Sequence, residues 1–373
     1  MSCLDNLKVA LIAAIIAMHA VLGYAGSMTA WSYTEVREVT LNPVAEAVLL
    51  VLVTPFGLFI MTLLFLVAGL LTPPSLERKG AGRFVRDRLL RLGVPFLAYV
   101  VVVQPTVMYA LEHPLGNAPG SYWDNFVDDE GAMDTGPLWF VGVLLIFSLG
   151  YAGWVRAGRR RATAPGRRTI RMGRLLLVAA VVAPASFLIR LVYPYGGDSG
   201  LTDLNFWQWP ACLAMFGVGI TAVRQGWVER IPDRVYRDSR AVAVAAVAAS
   251  LVFLGVVGSL DRIDDMMGGP QWPAVGFTVV ETVLAVFGPV WLLGAAQRHL
   301  GALRRWAGPA TVRSAYGAFM VQTPVLIGLA VVLRPVPLPA EAKALIVATV
   351  GVAVSFRLSW LLISRIRGLA RVL

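Results

Sequence analysis

The sequence predicts an all-α integral membrane protein, built as one bundle of about ten transmembrane helices with both termini in the cytoplasm. Of its 373 residues, 57% are apolar and 15% are charged, whereas soluble domains carry about a quarter charged residues. Apolar stretches recur from residue 8 to residue 364 with no polar block between them. This composition excludes a water-soluble globule and predicts a single transmembrane domain over 1–373.

Each apolar stretch is long enough to cross the roughly 30 Å apolar core of a bilayer, which needs about 20 residues per helix. In chain order the predicted spans are 8–26, 46–71, 89–111, 137–155, 174–193, 206–223, 241–260, 272–295, 313–333 and 343–364. The second span is long enough to tilt. The fifth and sixth contain Pro184 and Pro210, which neighbouring helices of a bundle tolerate.

Charge alternates between successive connections, and cytoplasmic loops retain lysine and arginine. With both termini inside, 15 of the 22 acids lie in outer connections. All but five of the 33 basic residues lie on the inner side, and the exceptions are Arg37, Arg190, Arg262, Arg334 and Lys343. The net charge of +11 is therefore mainly a topology signal, and we expect the lipid bilayer, not nucleic acid, as the partner of these charges.

The first span aligns three polar residues on one helix face. His19 follows Lys8 by eleven residues, which places the imidazole roughly 16 Å deeper and about 20° away from the Lys8 direction. Asp5 lies within about 40° of the same line. An imidazole near the midplane is suited to general-base catalysis. A histidine that only packs against a neighbouring helix is the alternative.

Three further polar side chains are predicted at a similar depth. Glu281 is the one acid well inside a predicted span, nine residues beyond Trp272. Gln322 lies nine residues into the ninth span, and Gln104 lies somewhat further out. Polar groups at bilayer depth are costly, so these residues and His19 form a candidate midplane layer. For Glu281, the alternative is a protonated carboxyl bonded to a backbone carbonyl.

Arginines cluster at the cytoplasmic start of the third span, in RFVRDRLLRLGVP. Arg88 and Arg91 are spaced to share a helix face, and Arg86 lies beside them. The planar guanidinium group suits phosphate. The alternative is that these arginines only obey the positive-inside rule.

The chain resembles the bacterial membrane-bound acyltransferases of family three from Leu4 to about Leu326. Five segments occur in the family's order: LDNLKVALIAAIIAMHAVLGY, FLVAGLLTPPSLERKGAGRFVRDRLLRLGVPF, GPLWFVGVLLIFSLGYAGW, WQWPACLAMFGVGITAVRQGWVERIP and SAYGAFMVQTPVL. The resemblance implies a ten-helix, multi-pass protein of the bacterial cytoplasmic membrane. It also implies acylation of hydroxyls on surface polysaccharides, peptidoglycan, lipid-linked sugars or antibiotic glycosides.

The family's signature in the first helix is a basic residue followed, after ten intervening residues, by a histidine. Lys8 and His19 match this signature, with lysine where arginine is usual. Lysine keeps the charge but loses the bidentate fork. Arg88 and Arg91 match the arginine-rich start of the third helix, and Glu281 matches the acid of a late helix.

Trp139 matches the tryptophan of the family's L-W-F segment, although Pro137-Leu138 replaces the histidine that precedes it in many members. Gln322 stands where many relatives have a histidine, and glutamine cannot act as a base at neutral pH. The residues expected to support the site are Asp5, Gln104, Trp139, Tyr316 and Gln322.

By this resemblance the donor is a cytoplasmic acyl-CoA, in the simplest case acetyl-CoA, and the acceptor is a sugar or glycoside hydroxyl. The donor phosphates are expected at Lys8, Arg86, Arg88 and Arg91. We expect no permanently bound cofactor and no metal, since Cys3 and Cys212 belong to no metal-binding pattern.

In this scheme His19 is the general base, oriented by Glu281, and Gln322 or a backbone N–H stabilises the oxyanion. His19 could alternatively carry the acyl group as a covalent intermediate. Some relatives append an outer hydrolase-like domain, and we expect none here. Two other classes remain open: a transporter whose intramembrane polar residues line a substrate path, and a noncatalytic assembly protein.

Overall fold

The structure is a computed structural model that describes residues 2–28, 33–34, 36–115, 134–158, 170–197, 203–224, 230–300, 307–366 and 368–369. Within these residues it is a helical bundle without strands. Ten helices are long and apolar enough to cross a membrane, which confirms the predicted fold class.

The helices are α1 (Ser2–Leu22), α2 (Pro43–Lys79), α3 (81–115), α4 (Trp139–Arg156), α5 (Met172–Arg190), α6 (Trp209–Arg224), α7 (Asp233–Ser259), α8 (Trp272–Ala295), α9 (Pro309–Leu333) and α10 (Ala340–Arg365). Short 3-10 turns are Gly136–Leu138, Phe206–Gln208 and Asp264–Met266, and the π-helical segment Ala296–Leu300 continues α8. We call the side of the bundle at which α1 ends and α2 begins the upper side, and the opposite side the lower side.

Helix α3 alternates between α-helical and π-helical turns. Its π-helical segments are Leu89–Gly93 and Tyr99–Val103. Each segment lies just before a proline, Pro95 or Pro105, whose ring has no N–H for the carbonyl four residues earlier. For Pro95 that carbonyl belongs to Arg91, and the hydroxyl of Tyr316 donates to it instead, at 2.8 Å. The prolines therefore account for the wider π-helical turns of α3. Pro95 also leaves the carbonyl of Arg91 free to accept a hydrogen bond from Tyr316 of α9.

Helix α1 ends earlier than predicted. The predicted span 8–26 is in fact Ser2–Leu22, and the N–H of Gly23 donates to the carbonyl of His19 at 3.0 Å. His19 therefore lies in the last turn of α1. It still lies at mid-depth, because it contacts Gln322, which is thirteen residues, or roughly 20 Å, from the lower end of the 25-residue α9.

The described residues between α1 and α2, namely 23–28, 33–34 and 36–42, lie in the bundle above the end of α1, and we call them the upper segment. Glu46 accepts hydrogen bonds from the N–H groups of Gly26 and Ser27, at 2.9 and 2.7 Å. Lys343 of α10, which is buried, forms an ion pair with Glu38. Non-helical backbone at membrane depth is tolerated where protein surrounds it, and these contacts supply that environment.

Helices α2 and α6 approach each other closely through their backbones. A Cβ atom added to Gly69 would lie 2.2 Å from the carbonyl oxygen of Phe216, and one added to Gly219 would lie 2.3 Å from that of Leu66. Small residues of this kind let transmembrane helices pack through their backbones. This crossing holds the long, proline-containing α2 against the centre of the bundle.

We predict that Gly219→Ala destabilises the protein by about 1–3 kcal/mol, because the added methyl group forces α2 and α6 apart. The measurement is thermal unfolding in detergent. Gly217→Ala, on the same helix, is the matched control, since a Cβ at Gly217 meets no atom within 4 Å. Equal unfolding temperatures for the two variants would contradict the close crossing.

Candidate functional site

His19 of α1 and Gln322 of α9 meet in the interior of the bundle. The side chain of His19 is 8% exposed, and Gln322 is fully buried. The imidazole Nδ1 lies 3.1 Å from the amide Oε1 of Gln322. The structure thus brings together two predicted site residues that are 303 positions apart in the chain.

This contact sets the tautomer of the imidazole. An amide oxygen only accepts hydrogen bonds, so Nδ1 of His19 donates its proton and Nε2 is the basic nitrogen. Among the described residues the amide nitrogen of Gln322 is buried without a hydrogen-bond partner. The pair therefore combines a base with an N–H donor that a substrate oxygen can engage.

Tyr24 and Tyr33 of the upper segment cover His19 from above. The rings of Tyr33 and His19 are 5.3 Å apart between centroids. Together with Leu326, the three residues line a cavity of about 10 Å³, which is room for about one water molecule.

Gln104 is connected to the surroundings of His19 by hydrogen bonds through the hydroxyl groups of Tyr99 and Thr323. The hydroxyl of Tyr99 donates to Oε1 of Gln104 at 2.8 Å and lies 3.0 Å from Oγ1 of Thr323. Oγ1 of Thr323 also lies 2.9 Å from the hydroxyl of Tyr33. Tyr99 and Thr323 were not singled out from the sequence. Their signal was weak, since Thr323 merely follows Gln322 and Tyr99 precedes a predicted site residue by five positions.

The lower part of α1 carries the predicted basic residue. Lys8 is half-buried and Asp5 is exposed, and both lie below His19 on the same helix. Lys8 is therefore accessible from the lower surface while its side chain lies partly within the bundle. Its predicted place at the mouth of a donor path is consistent with this position and stays a prediction.

The arginines of α3 also lie on the lower side. Arg86 and Arg91 are exposed, and Arg88 is half-buried with its guanidinium 5.0 Å from the centre of the Phe84 ring. Tyr316 ties this part of α3 to α9 through the carbonyl of Arg91. Tyr316 and Gln322 lie on the same helix, six residues or about 9 Å apart, so α9 links the arginines to the imidazole.

Trp139 is buried at the first residue of α4. It belongs to the same apolar core as Ile15 and Ile16 of α1. The structure thus gives Trp139 a packing position, and its predicted role in supporting the site stays a prediction.

Glu281 lies in a second polar cluster and does not orient His19, contrary to the predicted scheme. Its carboxylate forms a buried ion pair with Arg190 of α5, and Arg190 also donates to Thr278 at 3.1 Å. The rings of Tyr195, Trp207 and Phe277 surround the guanidinium at 5.2–5.7 Å. A buried carboxylate needs a counter-ion, and Arg190 provides the nearer charge.

The sequence contained a signal for this pair. Arg190 is one of the five basic residues on the side that the charge rule disfavours. It lies near the outer end of the fifth predicted span, and Glu281 lies in a span that enters the membrane from the same side. A cation retained against the rule, together with one intramembrane acid, indicates an ion pair. The partner was missed because the five exceptions were counted only for topology.

Comparison with known proteins supports the resemblance noted above. A family model described as an acyltransferase domain, acyltransferase family 3, matches residues 1–364. The match extends over nearly the whole chain and confirms the predicted family. No curated protein and no solved structure matches the chain.

We predict that Arg190→Met lowers the free energy of unfolding by about 3–5 kcal/mol, because it leaves the Glu281 carboxylate buried without a counter-ion. The double variant Arg190→Met/Glu281→Leu should regain most of that loss, since it removes both charges. Thermal unfolding in detergent measures both changes. If the double variant is no more stable than Arg190→Met alone, the loss does not come from an unpaired Glu281 carboxylate, and the buried ion pair is contradicted.

Proposed function

The chain belongs to acyltransferase family 3, and on that basis we propose that it moves an acyl group from a cytoplasmic acyl-CoA to a hydroxyl, with His19 as general base. The family and the ten spans make it a multi-pass membrane acyltransferase. Contact between His19 and Gln322 is the observation that carries the finer proposal. The acceptor is a glycan, a lipid-linked sugar or a glycosylated metabolite, and acetyl is the simplest acyl group.

The chemistry follows from the tautomer. Nε2 of His19 takes the proton of the acceptor hydroxyl as its oxygen attacks the thioester carbonyl. The C–S bond then breaks, and the imidazolium returns the proton to the departing thiolate. Negative charge develops on the carbonyl oxygen in between, and the unpartnered amide N–H of Gln322 is placed to donate to it.

The donor is held on the lower side, which we take to be cytoplasmic because the basic residues concentrate there. Lys8 and the three arginines Arg86, Arg88 and Arg91 bind the phosphate groups. Arginine binds phosphate through two parallel N–H donors, so the α3 arginines contribute more specificity than Lys8. We place the protein in the bacterial cytoplasmic membrane.

Substrate access requires movement around His19. The cavity beside the ring holds about 10 Å³, which is too small for an acceptor hydroxyl with its sugar. The upper segment is the element that can admit the acceptor, since Tyr24 and Tyr33 form the roof. The acyl arm of the donor must widen the same space from below.

We predict that His19→Ala lowers acyl transfer by at least about a hundredfold, because general-base catalysis contributes 10²–10⁴. The assay follows transfer from radiolabelled acetyl-CoA to candidate sugar acceptors with the purified protein in detergent. His299→Ala, an exposed histidine on the lower side, is the matched control and should keep full turnover. Normal turnover by the folded His19 variant would remove this residue from the mechanism, and an intact thioester with the wild-type protein would favour a transporter.

We predict that Arg88→Ala raises the KM for acyl-CoA by about tenfold to a hundredfold with little change in kcat. The substitution removes a charge-assisted hydrogen bond worth about 1.5–3 kcal/mol to a phosphate distant from the reacting atoms. Arg83→Ala is the control, because Arg83 is an exposed arginine of the same helical segment. A kcat effect with unchanged KM would contradict phosphate binding at Arg88.

A further inference from the structure

A continuous series of buried polar side chains runs from Thr323 to the upper side of the bundle. It passes from Thr323 to Tyr99, then to Gln104, whose amide nitrogen donates to Asp134. Thr323, Tyr99 and Gln104 are at most 3% exposed. Three parts of the chain, α9, α3 and the residues just before α4, thus meet in one hydrogen-bonded series.

The polar groups at the Asp134 end of the series have defined roles. Asp134 accepts only, so it takes one hydrogen bond from Gln104 and a second from the N–H of Gly136, at 2.6 Å. The amide oxygen of Gln104 must then accept, and it accepts from the Tyr99 hydroxyl. The same hydroxyl also donates towards Oγ1 of Thr323, so its single proton is shared between the two acceptors. Oγ1 of Thr323 in turn lies within hydrogen-bond distance of the Tyr33 hydroxyl, which makes the series continuous from Asp134 to the ring beside His19.

The backbone is shaped around this series. Tyr99 and Gln104 are five residues apart across the π-helical segment Tyr99–Val103, a spacing that aligns them on one face. Gly136 has a φ of 47°, and a Cβ there would lie 2.8 Å from the Tyr99 hydroxyl. The turn before α4 thus requires glycine for its conformation and for the space that the tyrosine occupies.

The near end of the series adjoins the site. Thr323 follows Gln322 in α9, and the Tyr33 ring lies against the imidazole of His19. Burial raises the pKa of Tyr33 above its ordinary value, and the negative charge of Asp134 adds to that shift while the bond to Thr323 opposes it. Tyr33 therefore remains protonated, and Asp134 lies close enough to contribute to that shift.

We propose that Asp134 is a positioning residue for acyl transfer, which acts through Gln104, Tyr99 and Thr323 on the turn of α9 that carries Gln322. The inference rests on the proposed function, because it assumes that the contact between His19 and Gln322 is catalytic. Asp134 orients the series from the upper side. The series in turn holds Gln322 at the distance at which its amide fixes the His19 tautomer.

The test replaces Asp134→Asn, which keeps the size of the side chain and removes its charge. An asparagine can present an N–H where the carboxylate accepted, so the hydrogen bond from the Gln104 amide nitrogen is weakened or lost. We expect kcat to fall by about tenfold to a hundredfold, because small misplacements of reacting groups cost that much. The KM for acyl-CoA and the unfolding temperature should stay close to those of the wild type. Asp265→Asn is the matched control, an acid on the same side that pairs with Arg262.

A double-mutant cycle separates positioning from a local packing effect. If the series acts as one unit, Asp134→Asn/Tyr99→Phe should be no slower than the slower of the two single variants. Additive losses would overturn the proposal, as would a kcat for Asp134→Asn equal to that of Asp265→Asn or a loss that merely follows the amount of folded protein. His19→Ala assayed alongside identifies which claim fails. An inactive His19 variant with a normal Asp134 variant refutes only the positioning role, and an active His19 variant refutes the proposed function.

Discussion

The hydrogen bond between His19 and Gln322 is the interaction on which the site depends, because the interior of a bilayer offers no water to replace a lost partner. α1 ends one turn beyond His19, at about half the height of α9, and the upper segment closes over it. An apolar residue in place of Gln322 would leave Nδ1 without this acceptor, and the basic nitrogen of the imidazole would no longer be specified. Both the folded structure and the proposed chemistry therefore require a hydrogen-bond acceptor at position 322.

His19 and the Glu281–Arg190 ion pair lie in two separate polar clusters. His19 has an amide as its partner, whereas Glu281 and Arg190 neutralise each other inside a set of aromatic rings. An imidazole must be neutral before it can accept a proton, and an uncharged partner suits the base role proposed for His19. An ion pair is the arrangement in which a carboxylate tolerates full burial. The separation gives each cluster the surroundings that its own protonation state needs.

The ten spans could be predicted because apolar length alone determines them, but the end of α1 could not. Residues 23–28 are small and apolar enough to continue a span, and only contacts with distant helices show that they do not. His19, Gln322 and Gln104 were identified because polar residues at depth are costly. The sequence did not show which of them pair, nor that Tyr99 and Thr323 join them, since partner choice is tertiary. The charge rule held a further signal: Arg37, Arg190, Arg262 and Lys343, all on the disfavoured side, bind carbonyls or acids.

Gln322 also limits what the site can do, because it leaves His19 as the titratable side chain of the contacting pair. In the proposed mechanism one imidazole takes the proton from the acceptor and returns it to the thiolate, so both oxygen and sulfur must come within reach of the same Nε2. Lys8 and the α3 arginines lie below this nitrogen, and the upper segment lies above it. A donor arm from below and a hydroxyl from above satisfy that geometry without crossing each other. In that mechanism the depth of His19, more than its basicity, lets one side chain serve substrates from the two sides of a membrane.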